Sequence, residues 1–149
     1  MSCLRSALVA LVTSTVVVLG CGPSGPNLVE VEGTIKLAGK TIDNISVEFW
    51  PESNGPRSIG VTDAQGKFTL TTDDGTKKGA VVGMHKIVLR DASVLGNKFL
   101  GRAGENVDMT EGRKSRISEV YLDPHKSPLK AEVTADKKPI ELDVKGPSG

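Results

Sequence analysis

From Val29 the chain alternates without a break: Val29, Val31, Gly33, Ile35 and Leu37 fall on one side of an extended backbone, and Glu30, Glu32, Thr34 and Lys36 on the other. A period of two belongs to a half-buried strand; the apolar stripe of a helix would recur every three or four residues. The same period returns at Ile45, Val47 and Phe49, at Ile59 and Val61, and at Phe68 and Leu70. It returns again at His85, Ile87 and Leu89, at Leu129, Ala131 and Val133, and at Ile140, Leu142 and Val144, which makes seven predicted strands. The 17 glycines, the many Val and Thr, and turn pairs such as Asn54-Gly55 and Asp74-Gly75 favour strands over helices. A hydrophobic content of 38% is modest, but a two-sheet sandwich needs apolar residues only at alternate positions, so it suffices for one core.

Turn chemistry separates these runs. Between Val61 and Phe68, Asp63 is placed to close a tight turn through its side chain, and Gly66 to take the positive φ such a turn needs. A second short polar connection, Ala135 to Pro139, joins the last two runs. Consecutive strands with short connections predict an all-β, antiparallel, seven-stranded β-sandwich.

The first twenty residues differ in kind. Arg5 is followed by thirteen uncharged residues, Ala7 to Leu19, a length that fits the apolar core of a signal peptide but falls short of the roughly 20 residues of a bilayer-spanning helix. The run ends in Val18-Leu19-Gly20-Cys21, which resembles the lipobox of bacterial lipoproteins. That resemblance implies cleavage between Gly20 and Cys21 and a diacylglyceryl group on the Cys21 thiol. Leu19 is bulkier than the small residue often found there. Only Cys3 and Cys21 occur, and Cys3 lies in the segment to be removed, so the mature domain keeps no thiol for a disulfide, a metal or a nucleophile. The expected division is a signal peptide over 1–20, a lipidated Cys21 with a flexible tether over 21–28, and one β domain over 29–146.

Charge excludes one class of partner. Lys and Arg number 19 against 18 Asp and Glu, and loss of residues 1–20 removes only Arg5, so nothing draws the domain to nucleic acid.

Residues 31–40 (VEGTIKLAGK), 60–68 (GVTDAQGKF) and 83–88 (GMHKIV) together resemble the carboxypeptidase regulatory-like, transthyretin-like domain. Residues 118–121 (SEVY), 127–129 (SPL), 131–133 (AEV) and 140–144 (IELDV) resemble the close of short bacterial lipoproteins that carry it. The Thr-Asp-x-x-Gly-x-Phe turn is the most specific piece. The resemblance covers roughly residues 29–145 and implies a Greek-key sandwich that works as a non-catalytic accessory or surface module. His85, where an aromatic is common, and the long stretch 91–116 depart from the pattern.

Few residue patterns in the chain match those of catalytic or metal sites. Neither His85 nor His125 begins a His-x-x-Glu pair, and two histidines without a mature cysteine make a poor zinc shell. Gly33 and Gly39 are separated by five residues, one more than a P-loop has, and those residues alternate like a strand. Asn44-Ile45-Ser46 matches a glycosylation sequon that a bacterial lipobox makes irrelevant. No Gly-x-Ser-x-Gly elbow is present. Asp63, Asp73, Asp74, Asp108, Glu111 and Asp123 would bind Ca²⁺ if several converged, although no EF-hand spacing occurs and Asp63 is better read as a turn former.

Residues 91–116 are the least regular part, rich in glycine and in charges of both signs, and longer than a sandwich connection requires. Phe99 and Leu100 either grip a partner or fasten this stretch to the sandwich, and Trp50 is a second candidate contact or an edge-packing residue. The expectation is a non-enzymatic module held in the cell envelope by lipid on Cys21, at the outer membrane or cell surface. It would bind a protein or a glycan or serve structurally, with no cofactor and no metal. The alternative is a small-ligand-binding or hydrolytic envelope protein that uses the loop carboxylates.

Overall fold

The computed structural model describes residues 25–94 and 113–148. Eleven strand segments follow one another: β1 (Leu28–Val29), β2 (Glu32–Leu37), β3 (Lys40–Thr41), β4 (Ile45–Pro51), β5 (Ser58–Val61), β6 (Lys67–Thr69), β7 (Thr71–Thr72), β8 (Ala80–Val81), β9 (Gly83–Asp91), β10 (Lys130–Val133) and β11 (Ile140–Val144). A 3₁₀ turn, Glu119–Leu122, precedes β10. Strands occur at each of the seven alternating stretches, but the count is higher, because the first stretch breaks into β1 and β2 and the short β3, β7 and β8 carry no readable period. Ile59 and Val61 correct the expected inward face of their run: they stand opposite Glu48 and Ser46, and Val61 is 50% exposed, so it is Ser58 and Gly60 that face Phe49 and Val47 on the core side.

Five strands form one sheet in the order β10-β9-β4-β5-β7, and a second sheet places β2 between β11 and β3, with β6 also paired to β2. β1 and β8 make a separate two-stranded ribbon. The inward faces share one core in a sandwich-like arrangement: Ile45, Val47, Phe49, Ile87 and Leu89 come from the larger sheet, and Ile35, Phe68, Leu142 and Val144 from the smaller. Phe49 and Phe68 join the sheets, with ring centroids 6.1 Å apart. Ile117 and Tyr121, from the segment around the 3₁₀ turn, complete this core.

Two connections differ from the expected hairpins. Asp63 does close its turn, since its Oδ1 accepts the amides of Gln65 at 2.8 Å and Lys67 at 2.9 Å, and Gly66 sits at φ +72°. The strands beside that turn nevertheless part: Ser58 and Ile59 pair with Thr72 and Thr71, whereas Lys67 to Thr69 leave for β2 in the other sheet. The 135–139 connection likewise carries the chain between sheets, because β10 pairs with β9 and β11 with β2. β11 runs parallel to β2, which corrects the purely antiparallel expectation. β10 ends opposite Gly83. A short connection therefore starts β11 at that same end of the domain, where β2 also starts.

Gly33 shows why the apolar face of β2 carries a glycine. It pairs with Phe68 on one side and Ile140 on the other. A Cβ there would lie 2.7 Å from Phe68 Cε1 and 2.5 Å from the Ile140 carbonyl oxygen. The Phe68 ring thus covers the backbone at a position where no side chain fits.

The register also sets the two ends of the domain. β1 pairs with β8, which immediately precedes the start of β9 at Gly83. β9 then runs nine residues to Asp91, a span of about 25–30 Å at the usual rise of a strand. β1 therefore lies toward one end of the domain, and Asp91, with Arg116 bonded to it, at the other. Among the described residues no helix is long and apolar enough to cross a membrane.

Candidate functional site

At the end of β9 the chain departs into residues 91–116, and a polar clamp ties the two ends of that excursion together. The Arg116 guanidinium binds Asp91 in bidentate fashion, Nε to Oδ2 at 2.9 Å and Nη2 to Oδ1 at 2.8 Å. The Arg116 amide adds a third bond to Asp91 Oδ2 at 2.8 Å, and the Ser93 amide and hydroxyl donate to Oδ1 at 3.1 and 2.6 Å. Arg116 reaches on to Asp43, bonding its carboxylate at 2.9 Å and its carbonyl at 2.7 Å. Burial of Asp91 opposes its ionisation, but the bonds from Arg116 and Ser93 outweigh that and hold its carboxyl at about 2. The same pairing raises the Arg116 pKa. Arg113 Nη1 spans the stem a second time, donating to the Ser93 carbonyl at 3.0 Å.

Beside the clamp opens a cleft of about 830 Å³ with Val94, Ile117, Leu122 and Pro147 among its apolar walls and Arg90 and Lys114 among its charged ones. On the adjoining 3₁₀ turn Tyr121 is buried, its hydroxyl accepting the Lys145 amide at 3.1 Å. Val120 and Leu122 on the same turn stay 40% and 37% exposed. Ser118 fixes the turn by donating its amide to the Lys145 carbonyl and capping it with its hydroxyl.

A second polar cluster lies on the outer face of β4, the middle strand of the larger sheet. Glu48, only 7% exposed, stands in register between Val88 and Ile59. Its carboxylate receives Arg90 Nε at 2.9 Å, Arg57 Nη1 at 3.2 Å and the Trp50 indole N–H at 3.1 Å. The Arg57 guanidinium also lies 4.8 Å from the centre of the Trp50 ring. Trp50 thus lies opposite the Ile45, Val47 and Phe49 face, as expected, but its polar atom and one ring face are engaged within the domain.

Of the other candidates, Gly20, Cys21, Phe99, Leu100, Asp108 and Glu111 lie outside the described residues. The remaining carboxylates serve local structure. Asp63 closes its turn, and Asp73 pairs with Arg57 at 3.5 Å. Asp123 accepts the His125 amide at 2.7 Å. Asp74 is held at about 2 by hydrogen bonds from the Thr72 hydroxyl and from the amide and hydroxyl of Thr76. Among the described residues no three His, Cys, Asp or Glu side chains gather where they could hold a metal.

His85 points inward, 1% exposed, with its ring 5.6 Å from that of Phe49. Its Nδ1 lies 3.0 Å from the Gly83 carbonyl. A carbonyl only accepts, so the proton of the neutral ring sits on Nδ1, and the buried Nε2 has no hydrogen-bond partner. Burial pushes the imidazole below its ordinary value of 6.5, against the opposing pulls of the Gly83 carbonyl and Glu52. The unfolded chain therefore takes up this proton first, and the folded state loses stability as pH falls below about 6.5. Denaturant unfolding is expected to show lower stability near pH 5 than near pH 7, and His85→Phe to flatten that dependence. Equal pH slopes in the two proteins would remove His85 as the cause.

Nothing local in the sequence marks the clamp or the Glu48 cluster. Asp91 and Arg116 stand at the bounds of the irregular stretch, a hint visible only as two opposite charges 25 positions apart. Glu48 has no signal, because a charged residue between Val47 and Phe49 reads as solvent-facing. The fold and these clusters define an all-β, sandwich-like domain in which Asp91 and Arg116, 25 positions apart, are clamped together at one end. Comparison of the chain with protein-family models, curated proteins and solved structures finds no significant match.

Proposed function

We propose that this chain is an exported lipoprotein held to the cell envelope through Cys21, and that its β domain is a non-enzymatic module. The module presents the end bearing the 91–116 stem to an envelope protein or a glycan. The Val18-Leu19-Gly20-Cys21 sequence supports the anchor. The exposed Val120 and Leu122 beside an apolar cleft carry the binding reading, since exposed apolar surface next to a concavity marks sites of association.

The placement of the two ends supports the orientation. Residues 22–27 span at most about 20 Å when fully extended, so β1 stays near the membrane while the stem stands a strand length further out. The resemblance to carboxypeptidase regulatory-like, transthyretin-like domains, with the Greek-key topology it implies, fits a display module on the outer membrane or cell surface.

Two measurements test this reading. Cys21→Ser is expected to abolish metabolic acyl labelling and to leave unprocessed precursor; labelling that survives the change defeats the anchor. A photo-crosslinking residue at Leu122 is expected to capture an envelope partner that the same residue at Ser53, near the tether end, does not. Equal capture at both positions, or at neither, defeats the assignment of the binding face.

A further inference from the structure

The chain places two chemically labile pairs in described loops, Asn54-Gly55 and Asp74-Gly75, and the fold treats them differently. At Asp74-Gly75 both reacting groups are occupied. The Asp74 carboxylate accepts from Thr72 Oγ1 at 2.6 Å, from the Thr76 amide at 3.0 Å and from Thr76 Oγ1 at 2.9 Å. The Gly75 amide donates to the Thr72 carbonyl at 2.7 Å. At Asn54-Gly55 neither group is held. Both residues are exposed in the loop between β4 and β5, and among the described residues neither the Asn54 carboxamide nor the Gly55 amide makes a hydrogen bond. Asn44, by contrast, has its carboxamide on Asp43 at 2.6 Å, and the attacking nitrogen would be the amide of the bulky Ile45, which donates to Thr62 Oγ1 at 2.9 Å.

We propose that Asn54 is a site of spontaneous covalent modification, deamidating to aspartate and isoaspartate with water as the co-reactant. The Gly55 amide nitrogen loses its proton to solvent base and attacks Asn54 Cγ. The new N–Cγ bond forms as the Cγ–Nδ2 bond breaks, and Nδ2 leaves as ammonia, carrying a proton from solvent. The product is a five-membered succinimide. Water then opens the ring at either carbonyl, giving aspartate from one and isoaspartate from the other, with no change in oxidation state.

Glycine at 55 matters because no Cβ hinders the attacking nitrogen, and its backbone is free to reach the conformation in which nitrogen meets Cγ. A larger residue there would also have to displace the Val81 side chain, since an added Cβ would lie 2.6 Å from Val81 Cγ2. The fold thus keeps the most reactive possible neighbour beside Asn54. The reaction replaces a neutral carboxamide with a carboxylate, taking the formal net charge of the chain from +1 to 0. The isoaspartyl product adds one backbone carbon next to β8, the strand that pairs with β1.

Peptide mapping by mass spectrometry after incubation of the full chain at mildly alkaline pH tests this. The peptide containing Asn54 is expected to gain about one mass unit and to split into two chromatographic products, while Asp74-Gly75 yields no isoaspartate. Asn54→Gln, an exposed substitution that leaves the fold intact, is expected to lose the gain. An unmodified Asn54 peptide, in a sample whose denatured control deamidates there, overturns the proposal. So does modification of Asn27 or Asn44 ahead of Asn54. Neither outcome depends on the lipid anchor or on the binding face.

Discussion

Asp91→Ala is expected to destabilise the domain by about 3 kcal/mol, the order of cost of removing a buried acceptor and leaving several of its donors without a partner. Five hydrogen bonds end on this carboxylate, three from Arg116 and two from Ser93. The Asp91 side chain is 1% exposed and that of Arg116 35%, so the removed anion is the deeply buried member and Arg116 keeps some access to water and to Asp43. Asp91→Asn, which preserves shape and loses charge, should fall between the wild type and Asp91→Ala. The effect should also be local. Amides at Ser93, Val94 and Arg116 are expected to lose hydrogen-exchange protection before those of β4, because the clamp closes the excursion whereas β4 is held from both sides. A uniform loss of protection would show that Asp91 supports the whole core rather than the stem. With an Asp91 carboxyl at about 2, this contribution is full above pH 3.8 and is lost as pH falls from there toward 2.

Gly33→Ala is expected to cost about 2–3 kcal/mol in thermal or denaturant unfolding, at the upper part of the range for overfilling a packed core. The added methyl meets the Phe68 ring, which can shift, and the Ile140 carbonyl, which cannot shift without breaking the β2–β11 pairing. Phe68→Leu in the same chain should therefore restore only part of the loss, and the double-mutant cycle should give a coupling of the order of 1 kcal/mol. Full additivity of the two changes would mean that the ring does not press on position 33. The cost of Gly33→Ala should exceed that of Gly39→Ala: although Gly39 has φ +80° and a strained backbone for alanine, an added Cβ there meets no atom within 4 Å.

Much of the all-β character was legible, because the side-chain period of a strand is written directly into the order of residues. Ile45, Val47 and Phe49 alternate with Ser46, Glu48 and Trp50, and the core takes the first set. The turn at Asp63 was legible for the same reason, as both the side-chain cap and the positive φ of Gly66 are local matters. What local signals do not carry is the partner of each strand. Lys67 to Thr69 look like the return strand of a hairpin and are instead paired to β2, and Ile140 to Val144 follow β10 in sequence but lie parallel to β2 in the other sheet.

The candidate site was less legible than the fold. A large aromatic on an outer face fits either a partner contact or an edge-packing residue, and the matching of the Trp50 indole N–H and ring by Glu48 and Arg57 is decided by residues apart in sequence. A carboxylate such as Glu48 is ordinary on a solvent-facing position, and only the convergence of Arg57 and Arg90 makes it nearly inaccessible. Convergence of the loop carboxylates is not a local matter: Asp74 and Asp123, like the turn-forming Asp63, each turn back on their own loops.

The sequence by itself determined the strand periodicity, the chemistry of the turn at Asp63 and most of the residues that face inward, Ile59 and Val61 excepted, since these follow from the geometry of a few neighbouring residues. Only the tertiary structure decided which strands pair, that β11 runs beside β2, and that Asp91 and Arg116 close the stem of a long excursion. Those outcomes depend on contacts between residues far apart in the chain, where geometry is set by how two sheets share one core and not by any local preference.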